Sequence, residues 1–296
     1  MKHLRKRFIF FNILVISCIM VILAIFVGLS ERSTLSANRM MLAILISIVL
    51  VFIGSWLLSK IALAPIKAAW QKQLDFTADA SHELRTPLSI IQTNLDVVLC
   101  HPNATIKSQI KWLKNIEAEN KRMSILVSNL LLLSRADTNE AIISMDNLNL
   151  SALLSEIITA YAPVAKQNKL ILTSAIINGI SIRGDSDKIK QLFIILLDNA
   201  IKYTAENGTI SITLSQDGIV EISDTGIGIE QDEIIQVFNR FYRGKHARLH
   251  NPDGSGLGLS IAKLIAEEHG GKISAQSKIG DGSIFKVTLP ISAELL

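Results

Sequence analysis

His82, Glu83 and Thr86 fall within a single helical turn of one another in the run from Phe76 to Leu88. Histidine is the side chain whose neutral, nucleophilic form is available near neutral pH. One ring nitrogen can attack a phosphoryl group while the other holds the proton. Glu83 is placed to accept a hydrogen bond from that proton and raise the nucleophilicity of the attacking nitrogen. Leu84, Leu88, Ile91, Leu95 and Val98 recur at helical spacing and predict a buried stripe. His82, Thr86, Ser89 and Thr93 share another face, which holds the imidazole toward solvent. Pro87 has no N–H for the carbonyl of Glu83, so a bend is expected beside the histidine. Residue types alone leave a surface histidine on a coiled coil equally open.

The stretch His82-Glu83-Leu84-Arg85-Thr86-Pro87 resembles the phosphoacceptor box of bacterial two-component sensor histidine kinases. The resemblance implies a HisKA-type dimerisation and phosphotransfer domain. In that family phosphate is attached to such a histidine and passed to an aspartate in the receiver domain of a response regulator. It also assigns Thr86 a part in dephosphorylating the regulator, by orienting a water.

Four clusters further along look like the ATP-binding boxes of the same family, and imply ATP and Mg2+ as the cofactors. In the first, Asn199 offers a neutral carbonyl oxygen suited to magnesium. Lys202 can meet phosphate as a point charge, and Tyr203 is close enough in sequence to contact sugar or phosphates. An ordinary helix end is the plain alternative. The second is Asp224-Thr225-Gly226-Ile227-Gly228, where a carboxylate after a strand can accept from the amine of adenine. Gly226 and Gly228 let the backbone approach the ring; a simple strand-to-helix turn would look the same. In the third, Phe238 to Arg243, aromatics can anchor a lid while Arg240 and Arg243 grip phosphates, or the arginines are merely solvated. The fourth, Gly254 to Leu259, opens a helix whose free N–H groups suit phosphate, with Gly254, Gly256, Leu257 and Gly258 as implied contacts. It does not follow a strand, so a dinucleotide fold is a poor reading. The polar segment between the third and fourth clusters reads as a mobile lid that orders on ATP.

One position departs from the family pattern. Relatives often carry an asparagine one turn before the magnesium ligand, and here that residue is Ile195. ATPases sharing this GHKL-type nucleotide fold, such as DNA gyrase, use a glutamate there to activate water. Isoleucine cannot act as a base, so hydrolysis is disfavoured against transfer to His82. A non-enzymatic membrane scaffold with a crippled nucleotide site is the competing reading, and Ile195 is its support.

These residues need elements to hold them. Residues 8–28 and 40–58 are each nearly all apolar and long enough to cross a bilayer as helices. A cleaved signal peptide is the alternative for the first, but its apolar core is too long and a second run follows directly. Lys2, Arg5, Lys6 and Arg7 before the first run, with Lys60 and Lys67 after the second, place both termini in the cytoplasm. Residues 1–7 are then a cytoplasmic tail and 29–39 an external loop too short for a ligand-binding domain. The expected location is the bacterial inner membrane, with stimulus arriving through lipid or a partner membrane protein. The net charge of +4 comes largely from the membrane-flanking residues, and no basic stripe interleaved with aromatics points to nucleic acid. Cys18 and Cys100 form no metal spacing or disulfide framework.

Residues 59–75 continue the helical pattern from the second run toward His82. Residues 76–137 read as two amphipathic helices broken by His101-Pro102-Asn103-Ala104-Thr105, an all-α hairpin. A lone hairpin leaves apolar surface wet, so two chains are expected to pair into a four-helix bundle. Arg135 to Asn147 reads as a linker. Residues 145–292 form the ATP-binding domain. Its helices are expected over 151–167, 185–203, 231–238 and 257–268, and its strands over 170–175, 180–183, 210–214, 219–222, 272–277 and 283–289. The fold class is thus two transmembrane helices, the hairpin, and an α+β sandwich of the Bergerat type: helices on one face of a largely antiparallel sheet.

Overall fold

The computed structural model describes residues 37–137, 145–251 and 254–292, with isolated positions between 14 and 25. The chain divides into two compact units, Met1–Ala78 and Asp79–Leu296.

In the first unit, helix α1 (Ala37–Leu99) begins, and its range includes His82. It passes through Pro65 and Pro87 without a break. The first apolar run lies mostly outside the described residues, as does the loop before residue 37. Among the described residues no helix is long and apolar enough to cross a membrane. Apolar side chains that are described here stand exposed, among them Leu45, Ile46, Val49 and Ile53 on α1.

The second unit opens with a helical hairpin. Helix α2 (Ile106–Asp137) returns along α1 after a short loop. Gln109 fastens that loop, its Nε2 donating to the carbonyls of Val98 at 3.1 Å and His101 at 3.0 Å. A buried polar pair joins the helices: Asn115 Nδ2 donates to Asn94 Oδ1 at 3.2 Å. Leu126 and Leu133 are buried, while Leu88 and Leu95 from the predicted stripe are 56% and 38% exposed. Part of the apolar surface expected to be covered is therefore open in the single chain.

The remaining elements form one α+β domain. They are β1 (Asp146–Asn149), α3 (Leu150–Gln167), β2 (Ile171–Ile176), β3 (Ser181–Gly184), α4 (Ser186–Tyr203), β4 (Thr209–Leu214), β5 (Ile219–Asp224), a 3-10 turn (Gln236–Phe238), α5 (Lys245–His250), α6 (Gly258–Glu268), β6 (Lys272–Lys278) and β7 (Gly282–Thr288). Five strands make one sheet in the order β2-β4-β5-β7-β6, with β2 parallel to β4 and every other pair antiparallel. Burial alternates residue by residue along β4 and β5, as a sheet with one covered face requires. Ile210, Ile212, Val220, Ile222 and Val287 of the sheet and Leu154, Leu192, Leu196 and Ile265 of the helices are all buried. Capping fixes where two helices start. Asn149 accepts from the N–H of Ala152 at 2.9 Å, and Asp185 accepts from Asp187 and Lys188 at 3.0 and 3.2 Å.

Two expectations need correcting. The linker contains a strand, β1, which pairs antiparallel with β3 in a separate two-stranded sheet. Three of its four residues, Asp146, Asn147 and Asn149, are turn formers, and the stretch gives no strand signal. The helix expected over 231–238 is only the 3-10 turn, because the polar groups at its start bond to β6 instead. Ile229 N–H donates to Ser277 Oγ at 2.8 Å, and Gln231 Nε2 to the Ser277 carbonyl at 2.7 Å. The segment between the third and fourth clusters carries the short helix α5.

Candidate functional site

One cleft of the second unit, with a volume of about 280 Å3, lies among α4, the end of β5, the lid and the start of α6. Asn199, Lys202, Tyr203, Asp224, Gly228, Arg243, Gly254, Gly256 and Gly258 line it, so residues from all four clusters converge on one space. Gly226 is not on the wall but sets its shape: its N–H donates to Asp224 Oδ1 at 2.8 Å.

Asp224 ends β5 and is 6% exposed. Burial pushes its carboxyl above the ordinary aspartate range, while the backbone N–H groups of Gly226 and Ser283 pull it back down. The result is a carboxylate held in a dry place with an edge on the cleft, suited to accept from an amine. Gly228 adopts φ +72, and a Cβ there would sit 2.1 Å from the carbonyl oxygen of Lys278, so the loop after Asp224 closes on β6 only with glycine.

Asn199 and Lys202 project from the last turns of α4 because that helix buries Leu192, Leu196, Leu197 and Ala200 on its other side. The Asn199 amide makes no hydrogen bond, and Lys202 no ion pair, among the described residues. A neutral oxygen and a cation are thus both left facing the cleft. Ile195, one turn earlier, also faces it, and a Cβ on Gly258 would lie 3.2 Å from Ile195 Cγ2. A branched apolar side chain fills the place of the second amide. Gly256 has φ +70 and a Cβ there would come within 2.7 Å of the Phe241 backbone, so the glycine segment packs directly under the third cluster before α6 begins.

The lid is held by bonds from both sides. Tyr203 is half-buried against it, hydrogen-bonded to Asn251 and with its ring 6.2 Å from that of His250. Burial raises its hydroxyl pKa, opposed by the charge of Arg243 and the bond to Asn251. The Arg243 guanidinium donates to the Asn251 carbonyl, so this arginine lines the cleft while bracing the lid. Sequence reasoning missed Glu233. Only 5% exposed, it accepts from the N–H of Lys245 at 3.2 Å and from the Tyr242 hydroxyl. Ile125 and Asn129 of α2 were missed as well, because they reach the cleft from the hairpin. Asp198 joins the wall with Tyr161 donating to its Oδ1 at 2.9 Å, a bond that ties α3 to α4.

Two assigned contacts fall elsewhere. Leu257 is fully buried, with its N–H donating to Ser255 Oγ at 3.4 Å, and serves the core under α6. Arg240 is half-exposed and off the cleft wall.

On α1, His82 and Thr86 are exposed and Glu83 is half-buried. Thr86 Oγ1 donates to the His82 carbonyl at 3.5 Å. No hydrogen bond joins Glu83 to the His82 ring among the described residues. Consecutive side chains on a helix point about 100° apart. Glu83 instead lines a second cleft of about 480 Å3 between the hairpin and the lid, with Pro87, Arg122 and Lys202 among the other walls.

Residues 72–139 match the family model of the His Kinase A phospho-acceptor domain, and residues 184–293 that of the histidine kinase-, DNA gyrase B- and HSP90-like ATPase. The sensor histidine kinase RppB of Synechocystis sp. is 34% identical over 250 residues, covering 83% of this chain and 55% of its own length. The chain spans a little over half the length of the curated relatives it matches. Among solved structures, the Acinetobacter baumannii histidine kinase AdeS superposes with a TM-score of 0.56 at 25% identity, over 71% of this chain and 98% of that one. Histidine kinase ThkA, solved in complex with response regulator protein TrrA, shares the fold at a TM-score of 0.59 and 23% identity, over 78% of this chain and 65% of that one.

Proposed function

We propose that this chain, which belongs to the bacterial two-component sensor histidine kinase family, moves the terminal phosphoryl group of ATP onto His82 and then to an aspartate of a response regulator. The observation that carries this reading is the convergence of Asn199, Lys202, Asp224 and the Gly254–Gly258 segment on one cleft in the same compact unit as an exposed His82.

Each group has a task in that reaction. Asp224 takes the adenine amine, and its burial makes the bond selective for a donor. Lys202 and the first N–H groups of α6 take the phosphates. Asn199 would hold a magnesium ion through its free amide oxygen; bound there, the ion neutralises charge on the phosphate oxygens. Chemistry then rests on positioning. The neutral His82 nitrogen forms a bond to the γ-phosphorus as the bond to the bridging oxygen breaks, and ADP leaves with the electron pair. The proton on the other ring nitrogen passes to surrounding water, to which the ring is open. Ile195 offers no base for an attacking water, which favours transfer over hydrolysis.

The same reading gives Thr86 the water-orienting role in regulator dephosphorylation, from its exposed place one turn past His82. It places two copies side by side, since Leu88 and Leu95 are open in the single chain. It also places the chain in the bacterial inner membrane with both termini inside. The apolar runs at 8–28 and 40–58, and the exposed Leu45, Ile46, Val49 and Ile53, support a lipid surrounding. The receiver domain of a response regulator is the expected partner, as in the ThkA–TrrA complex.

Incubation of the full chain with γ-labelled ATP and magnesium tests the proposal. Label that is acid-labile and alkali-stable, and absent from His82→Gln, is the expected result. Labelling that survives the substitution, or phosphate release without labelling, refutes it.

A further inference from the structure

Glu233 lines the nucleotide cleft yet is 5% exposed. A buried carboxylate is costly unless donors meet it. Two do so here: the Lys245 N–H at 3.2 Å from Oε1, and the Tyr242 hydroxyl. These donors stand on either side of Arg243 in the chain. Gly244, between Arg243 and Lys245, leaves room for the same carboxylate, since a Cβ there would lie 2.6 Å from Glu233 Oε2.

The turn held in this way is one the chain resists. Phe241 has φ +60, in the left-handed region, which costs a residue with a side chain about 1–2 kcal/mol. Its backbone packs on the glycine segment, where a Cβ on Gly256 would come within 2.7 Å of it. The Arg243 guanidinium lies beside Gly254, with Cζ, Nε and Nη2 each 3.5 Å from the place a Cβ would take. Arg243 therefore stands at the glycine end of the cleft, where α6 begins. Glu230, three residues before Glu233, reaches the same segment, meeting Lys245 Nζ at 3.4 Å and His246 Nε2 at 3.3 Å. The partners in those pairs are 74% and 48% exposed, so water screens them and they fix little. The interior anchor is Glu233.

Building on the kinase reading above, in which the start of α6 takes the phosphates, we infer that Glu233 is a positioning residue for ATP. Its carboxylate pins the chain on both sides of Arg243 and so holds that guanidinium at the phosphate end of the cleft. The adenine end does not depend on it, because Asp224 is fixed by the N–H groups of Gly226 and Ser283. Glu233 acts on the phosphates through Arg243, and adenosine, which has none, is indifferent to it.

The test uses the full chain in lipid nanodiscs and the displacement of a fluorescent ATP analogue by ATP and by adenosine. Glu233→Ala is expected to weaken ATP on the order of tenfold, as for loss of one aligned charge-assisted contact, with adenosine within about twofold. Arg243→Ala should give the same pattern. The double variant should lose no more than Arg243→Ala alone, because the two residues act as one. Glu233→Gln, similar in size with one acceptor oxygen, should fall between alanine and the unaltered chain. ATP affinity that is unchanged in Glu233→Ala overturns the inference, and so does tighter binding, which would mark the carboxylate as repelling phosphate. A loss shared equally by adenosine, the mark of a general packing role, overturns it too. So do losses in Glu233→Ala and Arg243→Ala that add. If the alanine chain does not fold, Glu233→Gln decides by the same ratio of ATP to adenosine affinity. Failure of the kinase reading has a different signature: no label on His82 in the unaltered chain, whatever the Glu233 variants do to ATP affinity.

Discussion

Replacing Asp224 by asparagine separates nucleotide recognition from folding more sharply than any other single change. The carboxylate is 6% exposed and receives the Gly226 N–H at 2.8 Å. An adenine amine bonded to it would donate to a charged acceptor away from water, an interaction worth about 1.5–3 kcal/mol. At about 1.4 kcal/mol per tenfold, ATP affinity is expected to drop on the order of ten- to a hundredfold. Stability moves the other way. Burial raises the Asp224 pKa in the folded chain, so the folded state holds the proton more tightly than the unfolded state. Stability associated with this group is therefore present at low pH and lost as pH rises through the folded value. Asparagine carries no charge, still accepts from Gly226, and removes that loss at neutral pH. The thermal midpoint without nucleotide is expected to hold or rise while affinity falls. ATP affinity of the unaltered chain should also decline on acidification before the ordinary aspartate range is reached, because the acceptor protonates early. Fluorescent-nucleotide displacement and thermal unfolding on the same samples check both halves. Affinity within about threefold of the unaltered chain, or a loss matched by a falling midpoint, would refute the assignment.

Other changes probe other parts of the molecule. His269 is 3% exposed; its Nε2 accepts from Asp185 N–H at 3.0 Å and its Nδ1 meets the Ile265 carbonyl at 2.7 Å. His269→Ala strands the Asp185 N–H and opens a cavity beside Gly184, while the Ile265 carbonyl keeps the backbone N–H of residue 269, so chemical denaturation should show a loss of about 3 kcal/mol. Ile195→Asn adds an amide oxygen to the cleft wall and is expected to tighten Mg-ATP binding by about tenfold, measured by titration calorimetry. Leu88→Glu combined with Leu95→Glu places charge on the open apolar face of the hairpin. Light scattering should then report single chains where the unaltered protein gives pairs, and a persistent pair would move the interface elsewhere.

The sequence made the catalytic lobe legible because its chemistry is local. Asn199 and Lys202 share one helix, Asp224 and Gly228 one turn, and Gly254 to Gly258 one loop, and the cleft gathers all of them. What stayed hidden depends on distant parts of the chain. Ile125 and Asn129 look like ordinary positions of an amphipathic helix, and only the packing of hairpin against lobe brings them to the cleft. Glu233 was obscured by its neighbours: Ile234, Ile235, Val237 and Phe238 imitate a helical stripe, yet Ile235 is 85% exposed and the segment turns instead. Leu257 sits inside a phosphate-type glycine run but faces the core, since spacing within a loop does not fix which way a side chain points. Strand β1 carries no periodic signal in its turn-forming residues and is defined by its pairing with β3.

The measurement closest to the central claim is phosphorus NMR of the intact chain in nanodiscs after incubation with magnesium and ATP. A phosphoramidate resonance that disappears in His82→Gln, and that decays on addition of a receiver domain, is the predicted outcome. A chain that binds ATP and is folded, yet shows no nitrogen-bound phosphate, would contradict the account.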